Sequence, residues 1–124
     1  MPETLPPRTF GPITRTDIVR YQGASGDFNP IHHDEEFARR SGAPTVFSVG
    51  MLQAGFLASY CTELAGAGNV LDFEVRFRDR VWPGDVLTCR ATAIDAGPTR
   101  ARLELVVERA DGAVVASGRA TVRQ

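Results

Sequence analysis

The pattern of hydrophobic and polar positions changes once along the chain, near residue 69. Before that point apolar residues recur with helical spacing, and after it they alternate with polar residues, which is typical of strands with one buried face. The helical pattern predicts helices over residues 14–23, 34–40 and 48–66. The alternating pattern predicts four strands, the first starting at residue 69 and the others covering residues 86–94, 100–109 and 113–123.

Short local signals support these boundaries. Thr14-Arg15-Thr16-Asp17 has the form of a capping box, with Asp in place of the more common Glu. Asp111-Gly112 is a strong hairpin signal between the last two strands. Helices followed by a four-strand antiparallel meander indicate an α+β fold, with the sheet packed against the long helix.

The long helix carries small residues on several sides, which predict close approach by a surrounding sheet and burial almost all round. These residues are Ala54, Gly55, Ala58 and Ser59. The first dozen residues are rich in proline and are predicted to be extended. A curved sheet on one helix leaves edges and one face uncovered, so we expect a homodimer that pairs through an edge strand.

Composition narrows the class of protein. A chain of 124 residues predicts one domain over residues 1–124, and 43% hydrophobic with 23% charged residues excludes a disordered chain. The net charge of −1 gives no basic footprint for nucleic acid and no polybasic membrane anchor. The longest apolar run, residues 46–65, is too polar for a membrane span.

The cysteines and the N-terminus point to a cytoplasmic protein. The first residues show neither the basic nor the apolar region of a signal peptide. Cys61 and Cys89 are too few for a disulfide framework, and neither has a neighbour at metal-ligand spacing. We expect two buried, reduced thiols and no metal site.

The segment with candidate chemistry is the loop after the first helix. Gly26 permits an unusual backbone angle and Asn29-Pro30 favours a turn, so Asp27 and His32 can be brought to one spot. A carboxylate and an imidazole together can activate one water molecule. Both residues also have plain structural explanations, Asp27 as a turn residue and His32 as a residue at the start of a helix.

The residues that follow have simpler expectations. His33 is expected on the surface and Asp34 as a helix N-cap.

Residues 21–38 closely resemble the signature of the MaoC-like, (R)-specific enoyl-CoA hydratase (hydratase 2) family. That signature has an aromatic residue, then Ser/Gly-Asp-x-Asn-Pro-aliphatic-His, then a small residue six positions after the histidine. Here these elements are Tyr21, the run from Ser25 to His32, and Ala38. The resemblance implies the hot-dog fold, in which a curved antiparallel sheet wraps a long helix, usually as a dimer.

The resemblance also implies an activity. Members of the family hydrate trans-2-enoyl thioesters to (R)-3-hydroxyacyl thioesters, or run the reverse dehydration, and need no cofactor beyond the coenzyme A or carrier-protein thioester. By this resemblance Asp27 and His32 bind and activate the water, with Asp27 as general base. How the two residues divide delivery of a proton to the α-carbon is open. Asn29 orients the loop or the water, or is a turn residue only.

The thioester carbonyl needs a donor while enolate charge develops. The start of the long helix offers free N–H groups, and we expect the Gly50 N–H to be this oxyanion contact. Helix packing is the alternative reason for this glycine. Ser48 is expected to be the N-cap and a further substrate contact. The family often has His-Gly-Met here, and Val49 replaces the histidine.

Other interpretations stay open. The same fold supports acyl thioesterases, and the chain can also be a non-catalytic acyl-thioester-binding subunit of a heteromeric dehydratase. Several arginines either hold the phosphates of the thioester carrier or form a solvated strand face; they are Arg76, Arg78, Arg80 and Arg90. Phe47, Met51 and Phe56 either line an acyl pocket or belong to the core.

Overall fold

The computed structural model describes all 124 residues, and it contains three α-helices and five β-strands. The elements in chain order are β1 (Arg8–Phe10), α1 (Arg15–Ser25), α2 (Glu35–Arg40), α3 (Gly50–Ala65), β2 (Val70–Phe77), β3 (Leu87–Ala96), β4 (Arg100–Arg109) and β5 (Val114–Arg123). A short 3-10 helix, Pro30–His32, lies between α1 and α2. None of the helices combines the length and apolar character needed to cross a membrane.

All strands form one antiparallel sheet in the order β1-β3-β4-β5-β2. The predicted strands are present and the α+β class is confirmed, but the simple meander is wrong. Strand β2 pairs with β5 rather than with β3. The connection between β2 and β3 is too long for a tight hairpin, and it packs against the segment before α3. Within this connection, Val81 is fully buried and its carbonyl accepts the Ser48 N–H at 2.8 Å.

The predicted extended N-terminus is partly a strand. Residues 8–10 form β1, which pairs with the outer edge of β3, with Arg8 opposite Cys89. The capping box at the start of α1 is confirmed. The Asp17 N–H donates to Thr14 Oγ1 at 3.0 Å, and the Thr14 N–H donates to Asp17 Oδ2 at 2.9 Å.

The core lies between one face of α3 and the inner face of the sheet. From α3, Leu57, Tyr60 and Cys61 are almost completely buried. The sheet contributes Leu87, Cys89, Leu103, Leu105, Val107, Val115 and Val122 to the same cluster. The buried thiols Cys61 and Cys89 are free, as expected, and burial raises their pKa to about 11 and about 12.

The prediction that α3 is buried on all sides is wrong. The sheet covers only the face with Ala54 and Leu57, whereas Met51 is 55% exposed. A Cβ added at the exposed Gly55 would meet no atom within 4 Å. The small residues on this face therefore do not reflect contact with the sheet within the single chain.

Candidate active site

The loop that carries the candidate residues starts where α1 stops. Gly26 is the C-cap of α1 with φ of 77°, a left-handed conformation that favours glycine, and its N–H donates to the Gln22 carbonyl. The chain turns sharply at Gly26, and the next residue, Asp27, is exposed at the start of the loop.

Two side-chain oxygens shape the turn that follows. Asp27 Oδ1 accepts the Asn29 N–H at 3.2 Å, and Asn29 Oδ1 accepts the Ile31 N–H at 3.1 Å. Asn29 is thereby the N-cap of the 3-10 helix that ends at His32. These bonds agree with the structural explanation of Asp27 and Asn29 as turn residues. They leave Asp27 Oδ2 without a partner, so the carboxylate still has an oxygen that can accept from water.

His32 is buried, and one hydrogen bond shows which of its ring nitrogens carries a hydrogen. Its Nδ1 lies 2.7 Å from the carbonyl oxygen of Phe47. Since a carbonyl only accepts, Nδ1 carries a hydrogen and donates it. In the neutral imidazole, Nε2 is then an unprotonated acceptor, and no protein group bonds to it. This is the arrangement that acid–base work on a water molecule requires.

Aromatic packing fixes the imidazole plane. The Phe47 ring meets His32 edge-on, with centroids 5.3 Å apart and an angle of 88°, and contacts Trp82 similarly at 5.9 Å. The Arg80 guanidinium lies 4.6 Å from the Phe47 centroid. Phe47 therefore contacts His32 twice, with its carbonyl oxygen as a hydrogen-bond acceptor and with its ring packed against the imidazole. No sequence signal marks a main-chain carbonyl for such a role.

A charged cluster anchors the segment that leads to Phe47. Glu35 accepts from the Thr45 hydroxyl, and pairs with Arg15 at 2.6 Å and with Arg39 at 3.3 Å. The Thr45 hydrogen bond first, and then that from Arg15, lower the pKa of Glu35 to about 2. Glu35 therefore stays ionised near neutral pH and ties α2 to α1 and to residue 45. The sequence pattern did not identify this group.

Helix α3 starts without a side-chain cap, and the predicted N-cap at Ser48 is wrong. Val49 occupies the N-cap position and makes no side-chain cap bond. The buried Ser48 hydroxyl instead donates to Gln53 Oε1 at 2.8 Å, because Gln53 also points into the protein and needs a partner. The first-turn N–H groups of α3 thus donate to no capping side chain.

Gly50 is the first residue of α3. A Cβ added to Gly50 would lie 3.1 Å from the Phe77 ring, so the glycine permits close approach of this side chain from β2. That contact fits the packing explanation for Gly50. Its N–H points from the uncapped helix start, where an oxygen acceptor is favoured. The oxyanion role therefore stays a prediction.

The neighbours of the loop behave as expected. Asp34 caps α2, accepting the Phe37 N–H at 3.1 Å, and His33 is exposed. Phe47 and Phe56 are half-buried, whereas Met51 is exposed.

The arginines of the sheet have protein partners or face solvent. Arg90 lies 3.6 Å from Glu108, and Arg78 donates to Ser117 at 3.0 Å. Arg80 stacks on Phe47, and Arg76 is exposed.

No group of three or more His, Cys, Asp or Glu side chains is arranged to hold a metal ion.

The chain is similar to known hydratases and dehydratases. The MaoC like domain family matches residues 3–115. The (R)-specific enoyl-CoA hydratase of Rhodospirillum rubrum is 33% identical over 116 residues, which cover 89% of this chain and 78% of that protein. The 3-hydroxybutyryl-CoA dehydratase of Methylorubrum extorquens is 32% identical over 114 residues, covering 90% of this chain and 73% of that protein.

Solved structures show the same architecture. R-hydratase PhaJ1 from Pseudomonas aeruginosa superimposes with a TM-score of 0.85 at 26% identity, covering 94% of this chain and 77% of its own. The ChsH1-ChsH2 complex from Mycobacterium tuberculosis gives a TM-score of 0.85 over 98% of this chain and 94% of that one. At 20% identity this second likeness concerns the fold alone. The predicted hot-dog fold is confirmed.

Proposed function

The chain belongs to the MaoC-like dehydratase family, and on this premise we propose that it hydrates trans-2-enoyl thioesters to (R)-3-hydroxyacyl thioesters, or runs the reverse dehydration. Hydratases and dehydratases are hydro-lyases, so the predicted class of enzyme agrees with the names of both relatives. The observation that carries the proposal is that one loop holds both His32, whose Nε2 has no protein partner, and Asp27, whose Oδ2 has none.

In the proposed reaction, Asp27 and His32 hold one water molecule between them. Asp27 Oδ2 accepts one proton of the water as the water oxygen bonds to the β-carbon, and the π electrons of the double bond move to give the enolate. That proton then passes to the α-carbon, directly from Asp27 or by way of His32 Nε2, and the thioester carbonyl is restored. The Phe47 carbonyl keeps the Nδ1 hydrogen of His32 in place, so Nε2 is the nitrogen presented to the water. Asn29 maintains the turn between the two residues and can also orient the water through its amide group.

Negative charge develops on the thioester oxygen during the reaction. The Gly50 N–H at the uncapped start of α3 is the donor we propose for it. We propose that Ser48, whose hydroxyl donates to Gln53 Oε1, also contributes to substrate binding in this region. Val49, which replaces a histidine frequent in the family, presents no polar side-chain group there.

The remaining features of the proposal concern the domain, the substrate and the location of the protein. Residues 1–124 act as one domain, the acyl thioester is the substrate, and no cofactor takes part. We propose that the protein works in the cytoplasm.

A homodimer is the assembly we propose. The edge strand β2 carries Leu71 and Phe77, which are 36% and 52% exposed. Pairing of a second copy along this edge would cover them and extend the sheet. A hetero-partner in the same place is the alternative. Light scattering after size-exclusion chromatography should give twice the chain mass of 13.4 kDa, and a species of one chain mass would contradict pairing.

Absorbance of the enoyl-thioester band of crotonyl-CoA tests the proposed reaction. Loss of the band without release of free thiol is the expected result, because water adds to the double bond and the thioester persists. Release of thiol would instead indicate a thioesterase. No change with crotonyl-CoA, with longer acyl chains or with carrier-protein thioesters would contradict the proposal and favour a binding-only subunit.

A further inference from the structure

Gln22 lies near the end of α1, and its side chain is one of four buried polar side chains in the protein. It is only 2% exposed. Glutamine is mostly found on protein surfaces, and a buried amide is costly unless its hydrogen-bonding groups have partners. The partners of Gln22 therefore indicate why it is buried here.

All of these partners belong to the loop that carries Asp27 and His32. Gln22 Nε2 donates to the carbonyl oxygen of Asp27 at 2.9 Å and to that of Asn29 at 3.1 Å. Gln22 Oε1 accepts from Nδ1 of His33 at 3.1 Å. The main-chain carbonyl of Gln22 also accepts the Gly26 N–H at 2.9 Å.

The two carbonyls on Nε2 connect the amide to both reacting residues. One is the carbonyl of Asp27 itself. The other, that of Asn29, also accepts the His32 N–H at 3.2 Å. Two carbonyl oxygens that converge on one point repel each other unless a donor lies between them. The amide group of Gln22 supplies both hydrogens, and thereby stabilises the curled path from residue 27 to residue 32.

We propose that Gln22 is a positioning residue for the acid–base pair, acting through the main chain of Asp27 and Asn29. The inference rests on the proposed function, since it assigns to Gln22 the correct relative position of the Asp27 carboxylate and the His32 imidazole. Gln22 itself touches neither the water nor the thioester. Its loss should lower the rate of the chemical step more than substrate binding.

Gln22→Met tests this assignment, because methionine has a similar length and no donor. We expect kcat for hydration to fall by about 30-fold or more, since misplacement by about 1 Å can cost roughly 100-fold. KM should stay within about 3-fold of the wild-type value. His33→Ala is the matched control. It removes only the contact to Oε1, which water can replace at the surface, and kcat should stay within about 3-fold.

Two further measurements separate positioning from a general loss of folding. Circular dichroism should show that Gln22→Met is folded at the assay temperature. If it is not, Gln22→Asn replaces it, because this shorter amide cannot reach both carbonyls, and the same fall in kcat is expected. In the folded variant, the amide hydrogens of Asn29, Ile31 and His32 should exchange faster than in the wild type, while those of β4 should not change.

The inference is overturned if kcat of the glutamine variant stays within about 3-fold of wild type, if His33→Ala causes an equal loss, or if exchange at the three loop amides is unchanged. The wild-type protein decides the proposed function separately. If it hydrates no enoyl thioester, that function fails, and exchange alone then shows whether Gln22 holds the loop.

Discussion

Helices α1 and α3 start in opposite ways. At α1, Thr14 and Asp17 bond reciprocally, so the first turn is closed by the chain itself. At α3, the N-cap is Val49, which offers no side-chain acceptor, and the hydroxyl of Ser48 is directed to Gln53. The two starts differ in the partners available to their N–H groups.

This difference indicates which helix start can donate hydrogen bonds to an oxygen of a ligand. A capped start satisfies its donors within the protein, whereas an uncapped start leaves donors and the positive end of the helix dipole available. The uncapped start of α3 comes three residues after Phe47, whose carbonyl holds His32. One short segment, residues 47–50, therefore connects the available N–H donors to His32.

The largest expected effect comes from removing the proposed acid–base groups of the loop that the Phe47 carbonyl contacts. Asp27→Asn and His32→Ala should each lower kcat by about 100-fold or more, because proton transfer to and from the water is lost. Circular dichroism should show that both variants keep the fold. Near-normal turnover in either folded variant would remove that residue from the mechanism.

A smaller effect on activity is expected when the start of α3 is obstructed. Gly50→Val places a branched side chain against the Phe77 ring, so we expect activity to fall by roughly 10-fold or more while stability changes little. The added Cβ lies 3.1 Å from the Phe77 ring, so the ring has to move by only a few tenths of an ångström.

Gly55→Ala is the matched control on the same helix, since a Cβ there meets no atom within 4 Å. It should raise the free energy of unfolding by about 1 kcal/mol and leave turnover as it is.

Unchanged turnover in Gly50→Val would refute the oxyanion assignment.

A change at the capped start of α1 should lower the stability of the protein and leave its kcat unchanged. Thr14→Ala removes the acceptor for the Asp17 N–H, and we expect the free energy of unfolding to fall by about 1 kcal/mol. Urea unfolding measures this loss, and kcat of the folded protein should be that of the wild type. A fall in kcat without loss of stability would mean that the two helix starts do not have separate roles.

The smallest effect concerns Glu35, which links α2 to the first turn of α1. Its pKa in the folded protein is about 2, below the usual 4.5, so its ionised form stabilises the fold above pH 4.5. This contribution disappears as the pH falls towards 2. The urea midpoint of Glu35→Gln should therefore lie below that of the wild type at pH 6, and the difference should shrink below pH 4.5. A difference independent of pH would contradict the ionic role.

The sequence predicted those features that depend on neighbouring residues. The capping box of Thr14 and Asp17, the N-cap Asp34 and the alternating strands are encoded within a few positions, and all are present. A dense local motif also predicts that the loop with Asp27 and His32 carries the chemistry, and this stays a prediction.

Features that depend on distant partners were not predicted. Alternation shows which face of β2 is buried but not which strand it pairs with, so the pairing with β5 was missed. Ser48 has the composition of an N-cap, but the buried Gln53 competes for its hydroxyl. The role of the Phe47 carbonyl also depends on a contact across 15 positions, which side-chain pattern does not encode.

The most direct test of the account is the stereochemistry of the product from crotonyl-CoA. Purified protein is incubated with this thioester, and the products are resolved by chiral chromatography with mass detection. We predict (R)-3-hydroxybutyryl-CoA from the wild-type protein and only a trace from Asp27→Asn. The (S) product, or equal yields of the (R) product from both proteins, would contradict water addition by this loop.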